Sequence, residues 1–406
     1  MRIKDIAILN PVYSGADLEN ESVSFSPMEC LRYDSLKTYS IPFSQAKGKY
    51  TYFGNYDVLF AKVTPCFENL NTAIAQNLLN GVGFGSSEIN VLRLKENVSP
   101  RYIFYLVCSK RFIDNGCASM CGVGGLKRVS PRAVNTFEFS LPSPEEQEAI
   151  AAYLDKECER IGREIELLER KADAYTRLRR SIINRAVTRG LNPNAPLKLS
   201  GIPWIGSIPA HWDIKRGKSL FQEIYRDVRP EDGTVTCFRD GEVTLRTNRR
   251  TTGFTESEKE IGYHGVRVGD LVIHQMDAFA GSIGISDSDG KCSPICIVCR
   301  PLNEDEVDLG YYCQLLRVMA HSGFIQSLAK GIRERTTDFR YKTLVTLNFP
   351  VPPYIEQQHI AAYLDDKCGK IDAIIEKIST IIERLKELKR SLINEVVTGQ
   401  RAINYN

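Results

Sequence analysis

Two stretches of the sequence come close to known catalytic or nucleotide-binding loops. Val351-Pro352-Pro353-Tyr354 approaches the Asn/Asp-Pro-Pro-Tyr/Phe loop with which adenine methyltransferases hold the exocyclic amine of their base. Val351 has neither a carboxamide nor a carboxylate to bind that amine, so a strand-to-helix junction is the better interpretation. Gly217-Lys218-Ser219 lacks the glycine that a phosphate-binding loop needs five positions upstream, because Trp212 stands there.

Cysteine spacing suggests one further kind of chemistry. Cys292, Cys296 and Cys299 have the spacing of a three-cysteine iron–sulfur site. They fall on a predicted strand, however, where cysteine side chains packed in a core are the simpler interpretation. The five histidines show no ligand spacing. We therefore expect no catalytic residue, no metal, no cofactor and no enzymatic activity in this chain.

Arginine, lysine and amide side chains gather in stretches that suit contact with double-stranded DNA. Forked donors of Arg, Asn and Gln read base edges, whereas Lys and Arg beside small hydroxyl residues position phosphates. A formal charge of +3 is only mildly basic, so such contacts must come from local clusters. For any single residue the alternative is a solvated surface charge. The candidate DNA-binding residues are Lys62, Lys127, Arg128, Ser130, Arg246, Asn248, Arg249, Arg250, Gln275, Arg333, Arg335, Thr336 and Arg340.

These candidates flank a segment that occurs twice. Residues 146–155 match residues 356–365 at a constant offset of 210, and the ungapped match continues over nearly fifty residues. Such a match half a chain apart indicates an internal duplication. In both copies apolar residues recur in steps of three and four, which predicts a long helix with a heptad stripe and one local irregularity. Each helix would be about 65 Å long, or roughly twenty base pairs of DNA.

Charge along the first helix indicates how the two helices pair. Residues 145–169 carry nine acidic and three basic side chains, whereas residues 170–189 carry seven basic side chains and one acidic. The second helix has a weaker version of the same gradient. Antiparallel pairing sets acidic starts beside basic ends, so we expect an antiparallel intramolecular coiled coil. The alternative is that each stripe docks on its own domain.

The globular parts are looser repeats of each other. Residues 57–60 correspond to 270–273, and residues 87–91 correspond to 293–297, while the sequences between them share little. The predicted fold class is α+β, with two mixed α/β domains joined by two long helices in a pseudo-two-fold repeat. The predicted boundaries are domain 1 at 1–142, helix 1 at 143–190, a linker at 191–206, domain 2 at 207–353, helix 2 at 354–400 and a tail at 401–406.

Composition sets the cellular context that we expect. The 406 residues are 43% apolar and 25% charged, which is typical of soluble proteins. The sequence contains no apolar run near the roughly 18 residues of a membrane span, and no signal-peptide core follows Met1. Twelve cysteines in this setting indicate free thiols in a reducing compartment. We expect a cytoplasmic protein.

The layout resembles the specificity subunit of type I restriction-modification systems over nearly the whole chain. The sequence motifs that carry the resemblance are Leu141-Pro142 before Glu146-Gln147, Val351-Pro352-Pro353 before Glu356-Gln357, and the segment 201–212. The resemblance implies that residues 1–142 and 207–353 are target-recognition domains, each reading one half of a split DNA sequence. One departure is that the first domain begins at a position matching about Arg216, without a counterpart of segment 201–212.

The resemblance also implies protein partners. The repeat helices would fix the spacing of the half-sites and dock two methyltransferase subunits, and restriction/translocase subunits would join that core, while this chain performs no chemistry. The candidate partner-binding residues are the matched pairs Gln147 and Gln357, Tyr153 and Tyr363, and Asp155 and Asp365. The alternative function is a coiled-coil scaffold or adaptor that does not read DNA sequence.

Overall fold

The computed structural model of the chain describes residues 1–15, 18, 20–122, 125–249, 261–328 and 338–403. The chain divides into two units. Unit 1 combines Met1–Arg170 with Ile378–Asn406, and unit 2 is Lys171–Lys377. Both boundaries fall inside long helices, so each unit contains the first half of one long helix and the last half of the other.

Strands of unit 1 form two sheets and a short hairpin. The first sheet has the order β1-β10-β7-β8 with antiparallel neighbours, and the second has the order β5-β2-β9-β6 with β2 and β9 parallel; β3 and β4 form the hairpin. The strands are β1 (Ala7–Leu9), β2 (Ser22–Ser26), β3 (Leu31–Arg32), β4 (Ser35–Leu36), β5 (Tyr39–Pro42), β6 (Thr51–Gly54), β7 (Val58–Ala61), β8 (Thr72–Ile74), β9 (Val82–Gly85) and β10 (Ile89–Leu94).

Most helices of unit 1 pack against the first sheet, whereas the short helix Phe43–Ala46 packs against the second. Helix α3 begins where the sequence predicts a capped helix: Pro100 occupies its first turn, and the Ser99 hydroxyl accepts a hydrogen bond from the Tyr102 N–H. Every residue from Tyr102 to Cys108 is buried, because α3 packs into a core shared with the first sheet and both long helices. The helices are α1 (Ile3–Ile6), α2 (Phe43–Ala46), α3 (Pro100–Cys108), α4 (Lys110–Ala118), α5 (Pro131–Thr136) and the first long helix, α6 (Pro144–Arg189).

Unit 2 repeats the first sheet of unit 1 and, in a looser form, the second, because a parallel bridge between Thr234 and Lys291 joins two antiparallel strand pairs as β2 and β9 are joined in unit 1. Its four-stranded sheet has the order β14-β21-β18-β19, and its other strands form the pairs β11-β12, β13-β22, β15-β16 and β17-β20. The strands are β11 (Leu197–Leu199), β12 (Ser207–Pro209), β13 (Asp213–Arg216), β14 (Phe221–Glu223), β15 (Val235–Cys237), β16 (Val243–Leu245), β17 (His264–Val266), β18 (Leu271–His274), β19 (Ile283–Ile285), β20 (Gly290–Cys292), β21 (Cys296–Pro301) and β22 (Asn348–Val351). The helices are α7 (Leu309–His321), α8 (Phe324–Ser327), α9 (Tyr341–Leu344) and the second long helix, α10 (Tyr354–Val397). The prediction of a mixed α+β fold is confirmed.

A buried ion pair marks the shared frame of the two sheets. In unit 1, Asp57 accepts from Arg93 Nε (3.0 Å) and Nη2 (2.7 Å). In unit 2, Asp270, which is fully buried, accepts from Arg300 Nε at 2.6 Å. Each aspartate immediately precedes the strand β7 or β18, and each arginine lies on the neighbouring strand β10 or β21. The sequence correspondence between residues 57–60 and 270–273 is therefore confirmed.

The second predicted correspondence, between residues 87–91 and 293–297, is wrong by one residue. Ile89 pairs with Ala61, and Cys296 pairs with His274. Ala61 and His274 are the equivalent last residues of β7 and β18, so Ile89 matches Cys296 rather than Ile295. The register of a strand is decided by its hydrogen bonds to the neighbouring strand. A match of similar residue types can therefore be displaced by one position without any sign of it in the sequence.

The apolar stripes of the long helices are buried within the units. In unit 1, Leu154 and Cys158 near the start of α6 share a core with Val396 near the end of α10. In unit 2, Val187 near the end of α6 shares a core with Leu364 near the start of α10. Within each unit, the start of one long helix thus lies against the end of the other.

One part of the predicted stripe is wrong. Leu178 and its counterpart Leu388 are 47% and 49% exposed, although the heptad pattern places both in the stripe. They follow the irregularity in the repeat, where a straight helix of 3.6 residues per turn no longer keeps a seven-residue pattern on one face. Burial resumes at Ile183 in the first helix, one position after the Ile182 that the pattern assigns to the stripe, whereas in the second helix the assigned Leu392 is buried together with Ile393.

The two long helices begin differently. At α6, the sequence Ser143-Pro144-Glu145-Glu146 predicts a capping box, and the structure contains it: Glu146 N donates to Ser143 Oγ (3.3 Å), and Ser143 N donates to the Glu146 carboxylate (2.9 Å). At α10, a proline replaces the capping serine, and Glu356 instead accepts from Trp212 Nε1 (3.1 Å) and contacts His211 Nε2 (2.8 Å). Segment 201–212 thus provides the partners of the second glutamate.

Candidate nucleic-acid interface

Unit 1 brings its two predicted basic stretches together at the end of strand β7. Lys62 follows β7 directly, and its carbonyl accepts a hydrogen bond from Val129 N at 2.8 Å. Thr64 N donates to the Lys127 carbonyl (3.0 Å), and Lys127 N donates back to Thr64 Oγ1 (3.1 Å). Backbone hydrogen bonds therefore hold Lys62 next to Lys127 and Arg128 on one edge of the unit.

An ion pair orients one cation of this edge. Arg128 Nη2 lies 2.7 Å from Glu88 Oε1, and Arg128 Nε lies 2.9 Å from Oε2. The guanidinium lowers the pKa of the Glu88 carboxyl, and the Glu88 carbonyl accepts from Lys62 N at 2.9 Å. Three cations and one carboxylate leave a formal charge of +2, and within the described part of the chain the Lys127 ammonium has no ion-pair partner. Such a surface suits the positioning of phosphate groups.

Ser130 closes the same loop. It precedes α5, and its N–H donates to the Ser119 hydroxyl at 3.3 Å. Its own hydroxyl makes no capping hydrogen bond to the helix, so this group remains able to donate to an external acceptor.

Unit 2 repeats this junction with other residues. Phe339 N donates to the Gln275 carbonyl at 3.2 Å, as Val129 N does to the Lys62 carbonyl in unit 1. Gln275 follows β18 directly, and its N–H donates to the Ile295 carbonyl at 3.0 Å. The exposed Arg340 pairs with Asp338 at 2.7 Å, which raises the pKa of the guanidinium. The predicted pair Gln275 and Arg340 thus lies at one junction, as Lys62 and Arg128 do.

The two junctions have one backbone frame and different side chains. Because Val129 and Phe339 occupy equivalent places, Arg128 matches Asp338 and Ser130 matches Arg340. Unit 1 offers cations and a hydroxyl, which suit phosphate contacts, whereas unit 2 offers an amide and a forked guanidinium, which suit base edges.

The stretch after strand β16 is a second predicted cluster of unit 2. Residues Arg246–Asn248 form one 3₁₀ turn. Arg246 Nε donates to Thr236 Oγ1 (3.3 Å), and Asn248 Nδ2 donates to Thr244 Oγ1 (2.7 Å). Both threonines lie on the antiparallel pair β15-β16, so these hydrogen bonds anchor the side chains of Arg246 and Asn248 to that pair.

Arg249 is less available than its neighbours. Its Nη1 lies 2.8 Å from Asp240 Oδ2 and 3.0 Å from Glu242 Oε2, and its guanidinium stacks 4.2 Å from the centre of the Phe238 ring. Two carboxylates neutralise its charge, so Arg249 would have to leave this arrangement to contact DNA. Among the remaining candidates, Arg250, Arg333, Arg335 and Thr336 lie outside the described residues.

Two of the candidate partner-binding residues turn inward. Gln147 and Gln357 are 1% and 0% exposed. Gln147 accepts from Ser99 N (2.8 Å) and donates to the Pro142 carbonyl (3.0 Å). Gln357 accepts from Asp308 N (2.9 Å) and donates to the carbonyls of Glu306 (3.0 Å) and Pro352 (2.9 Å). Both amides tie the start of a long helix to the start of α3 or α7 and offer no exposed group to a partner.

The other four candidates reach the surface. Tyr153 and Tyr363 are half-buried, and Asp365 is exposed. Asp155 accepts from Arg101 Nε (2.6 Å) and from the Tyr105 hydroxyl (2.6 Å), so it is neutralised inside unit 1. Asp365 has no hydrogen-bond partner among the described side chains, and burial raises the pKa of its carboxyl. The two matched aspartates therefore offer different charge to a partner.

Sequence reasoning missed the residues that complete these arrangements. The sequence pattern around Glu88 indicates only a repeated strand, and Ser99-Pro100 before Arg101 indicates only the start of a helix, so neither charge is predicted to have a partner. Arg101 bridges Asp155 and Asp34, which are 54 and 67 residues away along the chain. The signal available was a charged residue within an otherwise apolar helix, but its partners are too distant in sequence for any periodicity to identify them.

The cysteines at 292, 296 and 299 are buried strand residues, as the simpler interpretation predicts. Cys292 and Cys296 meet in one hydrophobic cluster, whereas Cys299 lies in another, so the three side chains do not converge on one point. Across the described part of the chain, no three His, Cys, Asp or Glu side chains come together in a way that could hold a metal ion. In the described ranges, none of the helices combines the length and apolar character that a membrane crossing requires.

Comparison with protein families matches residues 3–170 to the model described as "Type I restriction modification DNA specificity domain". The chain is similar to the specificity subunits of two Escherichia coli type I restriction enzymes. It is 33% identical to that of EcoEI over 158 residues, covering 38% of this chain and 26% of the relative. It is 35% identical to the specificity subunit of EcoAI over 149 residues, which cover 36% of this chain and 25% of that relative. The matched segments thus span about a quarter of the length of these relatives.

Two solved structures share the fold over nearly the whole chain. One comes from work titled "Structural basis underlying complex assembly and conformational transition of the type I R-M system"; it has a TM-score of 0.74 at 18% identity and covers 99% of this chain and 97% of its own. The other is the HsdS subunit from Thermoanaerobacter tengcongensis, with a TM-score of 0.55 at 19% identity, covering 99% and 96%. At these identities the likeness concerns the fold alone.

Proposed function

We propose, on the premise that residues 3–170 carry a type I restriction-modification DNA specificity domain, that this chain is the DNA-recognition subunit of such a system. The resemblance predicted from the sequence is confirmed by the family model and by the similar specificity subunits. The proposed activity is the reading of a split DNA site, one half-site by each unit, without any catalysis by this chain.

The observation that carries the proposal is the pair of junctions with one frame and different side chains. In unit 1 the loop of Arg128 is hydrogen-bonded to Lys62, and in unit 2 the equivalent loop of Arg340 is hydrogen-bonded to Gln275. A chain that bound one repeated DNA sequence would keep the same side chains at both junctions. Different donors and acceptors at equivalent places favour two different half-sites.

The spacing of the half-sites would be set by the long helices. Within each unit the start of one long helix packs against the end of the other, which supports the antiparallel intramolecular coiled coil predicted from charge. The helices of 46 and 44 residues are each about 65–70 Å long. Inserting one heptad into both should change the gap between half-sites and leave their bases unchanged; altered bases would contradict this role.

The proposed partners are double-stranded DNA, two methyltransferase subunits and restriction/translocase subunits. A duplicated helix presents matching surfaces to two copies of one partner, which supports the stoichiometry of two methyltransferase subunits. The half-buried Tyr153 and Tyr363 are the best candidates for such matched contacts, since both lie six residues, or nearly two helical turns, after the buried glutamines. Mixing this chain with the partner methyltransferase should give a complex with two methyltransferase copies per chain.

The test is long-read mapping of adenine methylation in cells that express the partner methyltransferase, with and without this chain. We expect a split motif with a fixed gap to be methylated only when the chain is present. Unchanged methylation, with both proteins expressed and associated, would favour the alternative of a scaffold that joins proteins without reading DNA sequence.

Variants at the two junctions make the test sharper. Arg340→Ala should weaken recognition of one half-site and Lys127→Ala should weaken binding at the other, because each residue belongs to a different unit. The loss of a base-reading arginine costs about 1–3 kcal/mol and relaxes the sequence preference, whereas the loss of a phosphate contact weakens binding to every sequence. Lys198→Ala, at an exposed position outside both junctions, is the matched control.

A further inference from the structure

Unit 2 contains a cavity that none of the roles above uses. Its volume is about 710 Å³, and it lies between the last half of α6, helix α7 and the turn from β15 to β16. This volume is within the range of about 300–1,000 Å³ that is typical of small-molecule sites. Its polar lining includes Arg179, Arg180, Asn184, Arg239, Arg317 and His321.

The charge of the lining is positive. Four guanidinium groups and the two carboxylates of Asp240 and Asp372 line the cavity, so its formal charge is +2 with His321 neutral. Arg179 pairs with Asp372 at 3.0 Å, whereas in the described part of the chain Arg180 has no carboxylate partner. Burial, Arg317 and Arg180 lower the pKa of His321, which is the response of a titratable group to a positive surrounding.

Arg317 is held in a fixed position without a counter-charge. Its Nη1 donates to the carbonyls of Gly281 (2.8 Å) and Ile283 (3.3 Å). Its other nitrogens have no hydrogen-bond partner among the described residues. A guanidinium has five N–H donors and remains charged at every physiological pH, so this half-buried group retains donors for an anion.

The equivalent place in unit 1 contains no such group. Helices α3 and α7 are equivalent, because the hydroxyl of Tyr102 donates to the Val397 carbonyl and that of Tyr311 to the Val187 carbonyl, residues that match at the offset of 210. This alignment places Cys108 where unit 2 has Arg317.

An aromatic side chain occupies the corresponding space in unit 1. Tyr33, in the turn from β3 to β4, packs edge-on against Phe104 of α3 at 5.5 Å between ring centres. Lys389, the counterpart of Arg179, lies 4.2 Å from the centre of the Tyr33 ring. The shared frame is therefore filled by an aromatic and a thiol in unit 1 and lined by arginines around a cavity in unit 2.

We propose that the cavity of unit 2 binds a small molecule that carries a diphosphate or triphosphate group, such as a nucleotide. Arg180 and Arg317 would contact the phosphate oxygens, since a planar guanidinium binds two oxygens of one phosphate at once. Asn184 and Gln314 line the same cavity and would hydrogen-bond the uncharged part of the ligand.

A small ligand fits the observations better than a macromolecule does. Among the described residues, Tyr33 and Cys108 occupy the equivalent place in unit 1, so we expect one ligand per chain. A partner that docks in two copies, as proposed above for the methyltransferase, would require the same feature in both units.

The experiment is isothermal titration calorimetry of the full chain with ATP and, separately, with inorganic pyrophosphate. We expect one site per chain, and the double variant Arg180→Ala with Arg317→Ala should weaken binding at least about tenfold, because it removes the two guanidinium groups proposed to contact the phosphates. Arg180→Ala alone, at an exposed position, should weaken binding by a smaller factor. Arg390→Ala is the matched control: Arg390 is the exposed counterpart of Arg180 on the other long helix and should not change the affinity. Circular dichroism of each variant verifies folding.

Three results would overturn the proposal. They are the absence of heat with both ligands, equal affinity of the wild type and the double variant, and equal weakening by Arg390→Ala. If the double variant instead lost affinity for an unrelated DNA duplex while ATP failed to compete, the cavity would be a contact for nucleic-acid phosphates. None of these measurements involves methylation, so they can fail while the specificity function stands.

Discussion

The replacement of Gln357 by methionine separates a structural role from a partner-binding role. If Gln357 binds a methyltransferase, Gln357→Met should weaken that association and leave the stability of unit 2 unchanged. In the structure the amide is fully buried and joins three backbone groups of its own unit, namely Asp308 N–H and the carbonyls of Glu306 and Pro352. Methionine has a similar length and no amide, so the substitution removes these hydrogen bonds without leaving a large cavity.

The expected loss of stability follows from those three contacts. The bond to the Pro352 carbonyl is fully buried, and leaving such an acceptor without a partner costs about 2 kcal/mol. The other two groups are partly buried, at 2.9 and 3.0 Å, and contribute about 1 kcal/mol each. Gln357→Met should therefore reduce the free energy of unfolding by about 3–4 kcal/mol, a large part of the roughly 5–15 kcal/mol typical of a domain.

Tryptophan fluorescence during urea unfolding measures this change selectively. The chain has two tryptophans, Trp204 and Trp212, and both lie in unit 2. Trp212 is fully buried beside the start of α10, where it donates to Glu356 at 3.1 Å. With a slope of about 2–3 kcal/mol per molar urea, the midpoint should fall by about 1–2 M.

A neighbouring residue provides the control. Gln358 is exposed one position further along α10, so Gln358→Met makes the same chemical change without losing an internal hydrogen bond and should shift the midpoint by less than about 0.2 M. An unchanged midpoint for Gln357→Met, together with weaker methyltransferase binding, would refute the structural role and restore the partner-binding one.

Two further predictions concern ion pairs. Asp270→Asn removes the buried charge that faces Arg300 at 2.6 Å, so it should destabilise unit 2 by about 3–5 kcal/mol in the same fluorescence assay. The exposed Asp213→Asn is the control. A loss below about 1 kcal/mol for Asp270→Asn would contradict the prediction. Arg128 lowers the pKa of Glu88, so this pair stabilises the fold above the unfolded pKa of about 4.3, and the effect disappears as the pH falls through the lowered folded value. Because Arg128 is 48% exposed, Glu88→Gln should cost less than about 1 kcal/mol at pH 7, and the cost should shrink as the pH falls through the lowered folded pKa of Glu88. A loss that stays constant as the pH falls, measured by circular dichroism in urea, would exclude the ion pair as its cause.

Much of the local structure was predictable because its causes are local. Ser99 and Pro100 start α3, and Ser143 with Glu146 forms the capping box of α6, since these signals operate within one helical turn. The duplication was visible from identity alone, and it predicted that Lys62 and Gln275 occupy equivalent places, which the structure places at equivalent backbone junctions.

The candidate interface was only partly predictable. The repeat predicted which residues of the two units correspond, but it predicted neither the contact of Lys62 with the loop of Arg128 nor the neutralisation of Arg249 by Asp240 and Glu242. Whether an exposed arginine is available depends on acids that fold onto it, and a run of basic residues gives no information about them.

The sequence by itself determined the helices, the repeat and the residue types that each unit presents, because periodicity, capping and identity are properties of the chain. Only the tertiary structure decided that Gln147 and Gln357 turn inward, that Leu178 leaves the apolar stripe, and that Tyr33 fills the space that is a cavity in unit 2. Each of these outcomes depends on which distant segment packs against a given face. Burial and hydrogen-bond satisfaction are properties of such pairs of segments, so neither segment reveals them alone.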